Sequence, residues 1–243
     1  IVNSFVSKNE DLILANATAP LQSAAAATTD IPILGTSVTD YATALDISDW
    51  SGTTGRNISG TSDLAPLSEQ AAMLNELFPD AKNVGLLYCS AEANSQYQID
   101  VIKEELEKLN YTCTAYSFVD SNDIASVVQS AVNDNDVLYV PTDNTAASNT
   151  EVINNIAGEA GVPIIAGEAG ICKGCGVATL SISYYDLGYQ TGKMAYEILV
   201  NGADPSTMEV EFAPAVTKQY NPDICEKLGI TVPDDYKALD MSE

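Results

Sequence analysis

The chain has 243 residues, of which 46% are hydrophobic, so it can bury the core of one large α/β domain or of two lobes. Its 34 acidic residues face only ten Lys and Arg, and the formal net charge of −24 argues against nucleic acid as a partner. The sequence contains no histidine, which excludes His-based triads, His general bases and His metal ligands. The first residue is Ile1 rather than Met, so we expect that an upstream segment was removed.

The N-terminal part of the chain shows short apolar stretches separated by polar loops. The predicted elements are a helix ending near residue 10, a strand at 11–16, an Ala-rich helix at 22–28 and a strand at 31–34. Residues 41–60 have little periodicity and are rich in Gly, Ser and Thr, so they are predicted to form a surface segment that carries the only tryptophan, Trp50.

From residue 66 onward, strands and helices alternate regularly. Helices are predicted at 66–78, from the end of loop 90–95 to 109, and at 124–131, 147–160, 184–200 and 223–228. Strands are predicted at 83–89, 112–118, 136–140, 162–167, 176–182 and 208–212. This alternation predicts an α/β fold with parallel, doubly wound sheets. Two similar units are expected, with residues 41–63 as their junction.

The segment from Asp136 to Thr145 combines a buried strand, DVLYV, with a polar loop, PTDNT, before a helix predicted to begin near Ala146. The loop after such a strand lies at the carboxyl edge of the sheet, where open α/β folds bind ligands. Asp143 and Asn144 are therefore candidate binding residues beside the free N–H groups of a helix start. The alternative interpretation is a helix N-cap or an Asx-turn.

The chain has five cysteines, and this odd number argues against a complete disulfide framework. Cys89 and Cys113 lie in strand-like stretches and are interpreted as small buried hydrophobic residues. Cys172 and Cys175 form a lone C-x-x-C that has no second pair or histidines for zinc and precedes a predicted strand. We interpret them as loop cysteines that could form a local disulfide, in preference to redox or metal-binding residues.

Six polar motifs occur in order along the chain. They are GTSVTD at 35–40, GTSD at 60–63, SAEANS at 90–95, VPTDNT at 140–145, AGEAG at 166–170 and YYDLGYQTGKMA at 184–195. With these motifs the chain resembles the substrate-binding proteins of ABC importers, which have the type I periplasmic-binding-protein fold and include tryptophan- and phenylalanine-binding members. The resemblance covers nearly the whole chain and specifies the family better than the ligand.

The resemblance implies two Rossmann-like lobes with the solute between them. Lobe one would contain residues 1–62 and 182–207, and lobe two residues 63–181 and 208–243. Members of the family begin with a strand, a helix and a second strand that have no counterpart here, so lobe one is expected to be incomplete. Its missing part could be absent from this sequence, lost natively or supplied by another chain, and in the last case we expect a homodimer.

The resemblance also implies the binding residues. An α-amino acid needs an anionic partner for its ammonium, which we assign to Asp143, and N–H or hydroxyl donors for its carboxylate. The other predicted contacts are polar side chains at the ends of strands. They are Asn144, Thr145, Ser90, Asn94, Ser95 and Glu168 in lobe two, Thr18, Gln22, Thr36, Thr39 and Tyr184 in lobe one, and Asp63 at a crossover between the lobes.

Several of these residues have alternative interpretations. One member of the Ser90–Ser95 segment is expected to cap the helix that follows. Asp63 could be a hydrogen-bonding residue at a hinge, Glu168 a solvated carboxylate, and Tyr184 a packing residue. Gly188 and Gly192 are interpreted as permitting close packing of their helix on a sheet.

Three classes of function remain open. The preferred one is a non-catalytic extracytoplasmic receptor, secreted or tethered as a lipoprotein, that presents an amino-acid-like solute to ABC permease subunits and needs no cofactor or metal. An enzyme is disfavoured because the sequence has no G-x-S-x-G and no P-loop, which leaves the C-x-x-C as the one enzymatic indication. The third is a truncated sensor or assembly module whose sheet edge pairs with another chain.

Overall fold

Residues 1–242 are described by the structure, a computed structural model, and they contain eleven α-helices and eleven strands. The helices are α1 (Val2–Lys8), α2 (Thr18–Ala27), α3 (Tyr41–Leu45), α4 (Leu67–Leu77), α5 (Ala93–Lys108), α6 (Ile124–Asp134), α7 (Asn144–Ala147), α8 (Thr150–Ala160), α9 (Ala169–Cys175), α10 (Tyr184–Leu199) and α11 (Pro222–Leu228). The strands are β1 (Ile13–Asn16), β2 (Ile33–Val38), β3 (Ile58–Ser62), β4 (Asn83–Cys89), β5 (Thr112–Phe118), β6 (Val137–Val140), β7 (Ile164–Ala166), β8 (Ala178–Ile182), β9 (Glu211–Phe212), β10 (Val216–Tyr220) and β11 (Lys237–Ala238).

The chain forms two compact units. Unit 1 contains residues 1–64 and 183–215, and unit 2 runs from Ala65 to Ile182 and from Val216 to the end of the described chain. The predicted α/β class with largely parallel sheets is confirmed. Among the described residues, no helix is both long and apolar enough to cross a membrane.

Unit 1 contains a parallel four-stranded sheet in the order β1-β2-β3-β9. One face packs against α2 and α3 through a cluster that includes Ile13, Leu21 and Ile33. The other face is covered at β2, where Leu34 packs against Met194 and Ile198 of α10. Because the three longer strands run in the same direction, the loops after them lie at one edge of this sheet.

No strand pairs with the outer edge of β1 in the part of the chain that the structure describes. Leu14 is 58% exposed, although its neighbours Ile13 and Ala15 are buried. A cavity of about 800 Å³ lies beside this strand, between it, α1 and α2. The side chains that line it are all uncharged, in a chain whose net charge is −24. Unpaired backbone groups together with an apolar surface make this edge a place where a further strand could pair.

A close approach of backbone to backbone fixes the pairing of β2 with β3. Gly35 and Gly60 are partners in the register, and the ring of buried Tyr41 lies against both. The Tyr41 hydroxyl donates a 3.1 Å hydrogen bond to the Thr61 carbonyl, and burial raises the pKa of this phenol. Gly60 has a φ of +149°, and a Cβ placed there would lie 2.1 Å from the Gly35 oxygen. Only glycine fits this position.

Unit 2 contains a seven-stranded sheet in the order β11-β10-β8-β7-β6-β4-β5. All its pairs are parallel except β10 with β8, which is antiparallel. Strands β6, β7 and β8 are buried throughout, and β4 is buried from Val84 onward, as expected for parallel strands covered on both faces. The adjacent order of β7, β6 and β4 brings the loops after these three strands together at one edge.

The structure corrects several sequence predictions. Residues 41–60 are not simply a surface segment, because they contain α3 and the start of buried β3. The C-x-x-C is not in a loop, since both cysteines belong to α9 and are free and buried. The prediction also missed β10.

Two further corrections concern boundaries and packing. Residues 208–215 were predicted in lobe two but belong to unit 1, because β9 pairs with β3. Gly188 and Gly192 do not permit close packing on a sheet, since a Cβ at either position would meet nothing within 4 Å. They share the exposed side of α10 with Tyr185 and Tyr189.

We predict that Gly60→Ala lowers the free energy of unfolding by about 3 kcal/mol, because it combines backbone strain with a clash against the Gly35 carbonyl. The matched control is Gly55→Ala, where φ is also positive, at +65°, but the space is open, so we expect a loss of about 1 kcal/mol. Urea unfolding followed by the fluorescence of Trp50, which lies in unit 1, measures both. Equal losses in the two variants would contradict the close-approach explanation.

Candidate functional site

In unit 2, carboxylates occupy the loops after β4, β6 and β7. Glu92 follows β4, Asp143 follows β6 and Glu168 follows β7, and each lies immediately before a helix. The start of a helix presents N–H groups that have no partner within the helix. The three acidic side chains are therefore placed to accept hydrogen bonds from backbone N–H groups at this edge.

Asp143 is 1% exposed, and both of its carboxylate oxygens accept backbone hydrogen bonds. Oδ1 accepts from the N–H of Ala146 at 2.7 Å, which caps α7, and Oδ2 accepts from the N–H of Cys89 at 2.7 Å. The second bond ties the loop after β6 to the end of β4. The N-cap interpretation of Asp143 is thus present in the structure, whereas its predicted contact with an ammonium group stays a prediction.

Glu92 receives four hydrogen bonds from the first two residues of α7. Its Oε2 accepts from the backbone N–H and the Nδ2 of Asn144, at 3.1 and 2.7 Å. Its Oε1 accepts from the backbone N–H and the Oγ1 of Thr145, at 2.9 and 2.7 Å. The free N–H groups and side-chain donors that the sequence placed at this helix start are therefore bound by a carboxylate of the same chain.

The pKa values of the two carboxyls move in opposite directions. Burial raises the pKa of Asp143, and the nearby charge of Glu92 adds to this effect against the hydrogen bonds from Ala146 and Cys89. Burial also acts to raise the pKa of Glu92, but the hydrogen bonds from Asn144 and Thr145 outweigh it and hold that pKa below its usual range. Glu92 is consequently the carboxyl that stays ionised to lower pH.

Amide side chains of α5 reinforce the loop after β6. The Oε1 of Gln98 accepts from the N–H of Thr142 at 3.0 Å, and its Nε2 donates to the Thr142 carbonyl, also at 3.0 Å. The predicted residue Asn94 is buried and donates to the same carbonyl at 3.2 Å. Ser95, also buried, hydrogen-bonds to Asp143, whereas Ser90 is exposed and donates to the Phe118 carbonyl at 3.2 Å.

Glu168 caps α9. Its carboxylate accepts from the backbone N–H groups of Gly170 and Ile171, with a distance of 2.6 Å to Gly170. Burial raises the pKa of this carboxyl despite these two hydrogen bonds. Glu168 is therefore not simply a solvated loop carboxylate, because its oxygens are bound to the helix that it precedes.

In unit 1, three of the predicted residues meet at the carboxyl edge of the sheet. The carboxylate of Asp63 is 5% exposed and lies directly after β3. It accepts a 3.1 Å hydrogen bond from the Oγ1 of Thr39 and a 3.2 Å hydrogen bond from the hydroxyl of Tyr184. Tyr184 is the first residue of α10 and remains 39% exposed. This edge therefore joins a buried acid with an accessible aromatic ring.

The other predicted residues of unit 1 lie apart from this group. The Thr36 hydroxyl is buried in a cluster with Thr61 and Thr191, at 3.2 and 3.1 Å. Gln22 donates to the Ala44 carbonyl at 3.1 Å and so ties α2 to α3. Thr18 is buried at the start of α2. Whether any of these side chains contacts a solute stays a prediction.

The cysteine side chains have the chemistry of core residues. Burial raises the pKa of Cys175 to about 12 and places the pKa of Cys172 well above its usual value. A thiol must be deprotonated to act as a nucleophile or a metal ligand. The arrangement therefore favours packing residues over a redox pair. It differs from the predicted loop cysteines with a local disulfide, because both thiols are free and lie in α9.

Sequence reasoning missed Glu92 and Gln98 as residues of this edge. Glu92 lies inside the SAEANS motif and immediately before α5, so an acid at the end of a predicted strand was the available signal. Its side chain does not cap α5 but reaches across to α7, a contact between residues about fifty positions apart. Local patterns do not reveal such a pairing.

The fold and these edges define a solute-binding protein, and comparison with known proteins gives the family. Residues 1–241 match the family model described as ABC transporter substrate binding protein. The chain belongs to this family, whose members are binding proteins rather than enzymes.

Three relatives show the range of similarity. A tyrosine-binding protein of Clostridioides difficile (strain R20291) is 37% identical over 199 residues, which are 82% of this chain and 57% of the relative. The structure of an ABC domain in complex with L-Trp from Streptococcus pneumonia is 30% identical with a TM-score of 0.91, over 98% of this chain and 84% of that one. A ligand-free, open substrate-binding protein with adhesive properties from Clostridium difficile is 36% identical with a TM-score of 0.74, over 99% and 82%.

We predict that Asp143→Ala lowers the free energy of unfolding by about 3 kcal/mol, because it removes a helix cap and leaves the buried N–H of Cys89 without its acceptor. Asp123→Ala is the control in the same unit, since Asp123 precedes α6 without a side-chain capping bond, and it should change stability by less than about 0.5 kcal/mol. Urea unfolding followed by circular dichroism measures both. If Asp143→Ala costs no more than the control, its hydrogen bonds do not hold this loop.

Proposed function

We propose that this protein is the solute receptor of an ABC importer and that its solute is an aromatic amino acid. The observation that carries the proposal is the pair of relatives above, one named for tyrosine binding and one solved with L-Trp, at 37% and 30% identity. The chain spans 57% of the length of the tyrosine-binding relative, and the solute, the permease partner and the mode of closure are all part of the proposal.

The chemistry of both edges supports an amino-acid solute. Asp63 and Asp143 are buried acids at strand ends, and each carboxylate oxygen has two lone pairs, so one that already accepts a hydrogen bond can also accept from an ammonium group. Tyr184, partly exposed beside Asp63, offers a ring against which an aromatic side chain can stack. We assign ammonium recognition to Asp143, as predicted, with Asp63 as the alternative from unit 1.

The surface charge bears on where such a receptor would act. A net charge of −24 repels an anionic membrane surface, so a receptor that delivers its solute to ABC permease subunits would need release into the extracytoplasmic space or a lipid tether. We propose an extracytoplasmic location on this basis. The family membership supports it.

We predict that L-tryptophan, L-tyrosine or L-phenylalanine raises the melting temperature by about 5–10 °C at a hundred times its Kd, because a ligand that binds only the folded state adds about 2.7 kcal/mol. A thermal-shift screen against the twenty amino acids measures this effect. Indole and p-cresol, which carry the aromatic groups without the amino-acid moiety, are the controls and should give no comparable shift. A screen without any shift would contradict the proposed solute class.

The open edge of β1 favours a second candidate function, an assembly module. We propose that the uncharged cavity beside β1 takes the β1 strand of a second copy, because pairing would satisfy the outer backbone groups and cover Leu14. The charge of −24 on each copy opposes this association, so pairing should strengthen as salt is added.

We predict that sedimentation equilibrium gives the mass of two chains at micromolar concentration and moderate salt. Leu14→Lys, which places a charge at this edge, should return the protein to the mass of one chain. Ser7→Lys on exposed α1 is the control for added charge and should leave the mass unchanged. A single-chain mass for the unmodified protein at every salt concentration would rule out self-pairing.

A further inference from the structure

The four hydrogen bonds between Glu92 and α7 affect the conformation of the loop that carries Asp143. α7 has four residues, and its first three N–H groups all donate to side-chain carboxylates, those of Asn144 and Thr145 to Glu92 and that of Ala146 to Asp143. A single helical turn is unstable by itself, because fixing its backbone costs more free energy than the hydrogen bonds of one turn return. The conformation of the loop that carries Asp143 therefore depends on acceptors supplied from outside α7.

We propose that Glu92 is the positioning residue of the solute-binding loop after β6. This inference rests on the proposed function, because it assigns a role within the same binding edge. Glu92 acts through Asn144 and Thr145 and does not touch the solute. By engaging both side chains it holds α7 in place, and with α7 it holds the Asp143 carboxylate in the orientation that we assign to ammonium recognition.

The chemistry of the contact requires a carboxylate. Two donors of α7 converge on each oxygen of Glu92, and Oε2 also accepts from the Nδ2 of Asn94 at 3.2 Å. An ionised carboxyl group has acceptor capacity at both oxygens and carries no proton of its own. A glutamine at this position would turn an NH₂ group toward two of the four donors. Glu92→Gln therefore keeps the size of the side chain while it breaks about half of the contact, and Glu92→Asp keeps both oxygens but shortens their reach.

The same contact changes the expected roles of Asn144 and Thr145. Sequence reasoning placed their side chains among the predicted solute contacts. Because Nδ2 of Asn144 and Oγ1 of Thr145 donate to Glu92 at 2.7 Å, their side chains serve the loop instead. Under this proposal they support binding indirectly, and Asp143 is the member of the PTDNT motif that meets the solute.

Unit 2 offers a matched control at the opposite end of the same sheet. Oδ2 of Asp136, the residue before β6, accepts from the backbone N–H groups of Lys82 and Asn83 at 2.8 and 2.9 Å, and Asn83 is the first residue of β4. Asp136→Asn, like Glu92→Gln, replaces a carboxylate that accepts hydrogen bonds from a neighbouring segment. Asp136 lies at the opposite end of these strands from the loops that follow them, and its substitution leaves the predicted binding residues unchanged.

The experiment compares the unmodified chain with Glu92→Gln, Glu92→Asp and Asp136→Asn. Hydrogen exchange of the Asn144 and Thr145 amides without ligand measures the contact itself, and calorimetric titration with L-tryptophan and L-tyrosine measures the Kd. We expect Glu92→Gln to speed exchange of both amides at least tenfold and to weaken binding at least tenfold. Glu92→Asp should give intermediate values, and Asp136→Asn should change the Kd less than twofold.

Other outcomes overturn the proposal in distinguishable ways. Unchanged exchange in Glu92→Gln would show that the contact does not hold α7. Faster exchange with a Kd within twofold of the unmodified chain would reduce Glu92 to a structural residue. If the unmodified chain binds none of the twenty amino acids, the proposed function and the positioning role fail together, while hydrogen exchange still decides whether the contact exists.

A second variant covers the case in which Glu92→Gln does not fold. Thr145→Val removes one of the four donors, and it should change the exchange rate and the Kd in the same direction by a smaller factor.

Discussion

Backbone N–H groups at the start of a helix need acceptors, and carboxylates at strand ends supply them in unit 2. Glu168 caps α9, while Asp143 and Glu92 share the N–H groups of α7. Each unmet buried donor would cost about 1–3 kcal/mol, so these acids are constrained before any solute is considered. The same constraint sets what the edge can offer a ligand, because it decides which lone pairs and donors are already engaged.

In unit 1 the main constraint is the close packing of two strands. There Gly35 and Gly60 let two strands approach beneath the Tyr41 ring, and the loops that follow bring Thr39 and Asp63 together. Tyr184 reaches the same carboxylate from the start of α10. Packing of the backbone therefore places an acid and an aromatic ring side by side, a combination suited to an aromatic amino acid.

Much of the fold could be predicted because strong periodicity marks buried strands and amphipathic helices. The strand DVLYV and the helix from Tyr184 are examples. The irregular segment 41–60 and the α9 helix escaped prediction because their structure depends on tertiary packing, of Tyr41 against glycines and of cysteines in a core. At the site, the polar loops were predictable from strand ends, whereas the contact of Glu92 with α7 joins distant residues and leaves no local pattern.

The buried thiols of α9 bear on how the proposed extracytoplasmic receptor would withstand an oxidising medium with its cysteines free. Because burial raises the pKa of Cys175 to about 12, this thiol stays protonated at neutral pH. Oxidation and disulfide exchange both proceed through the thiolate, so they become very slow while the core stays closed. Folding itself then protects these sulfur atoms, and prolonged unfolding in an oxidising medium would expose all five free cysteines to mispairing.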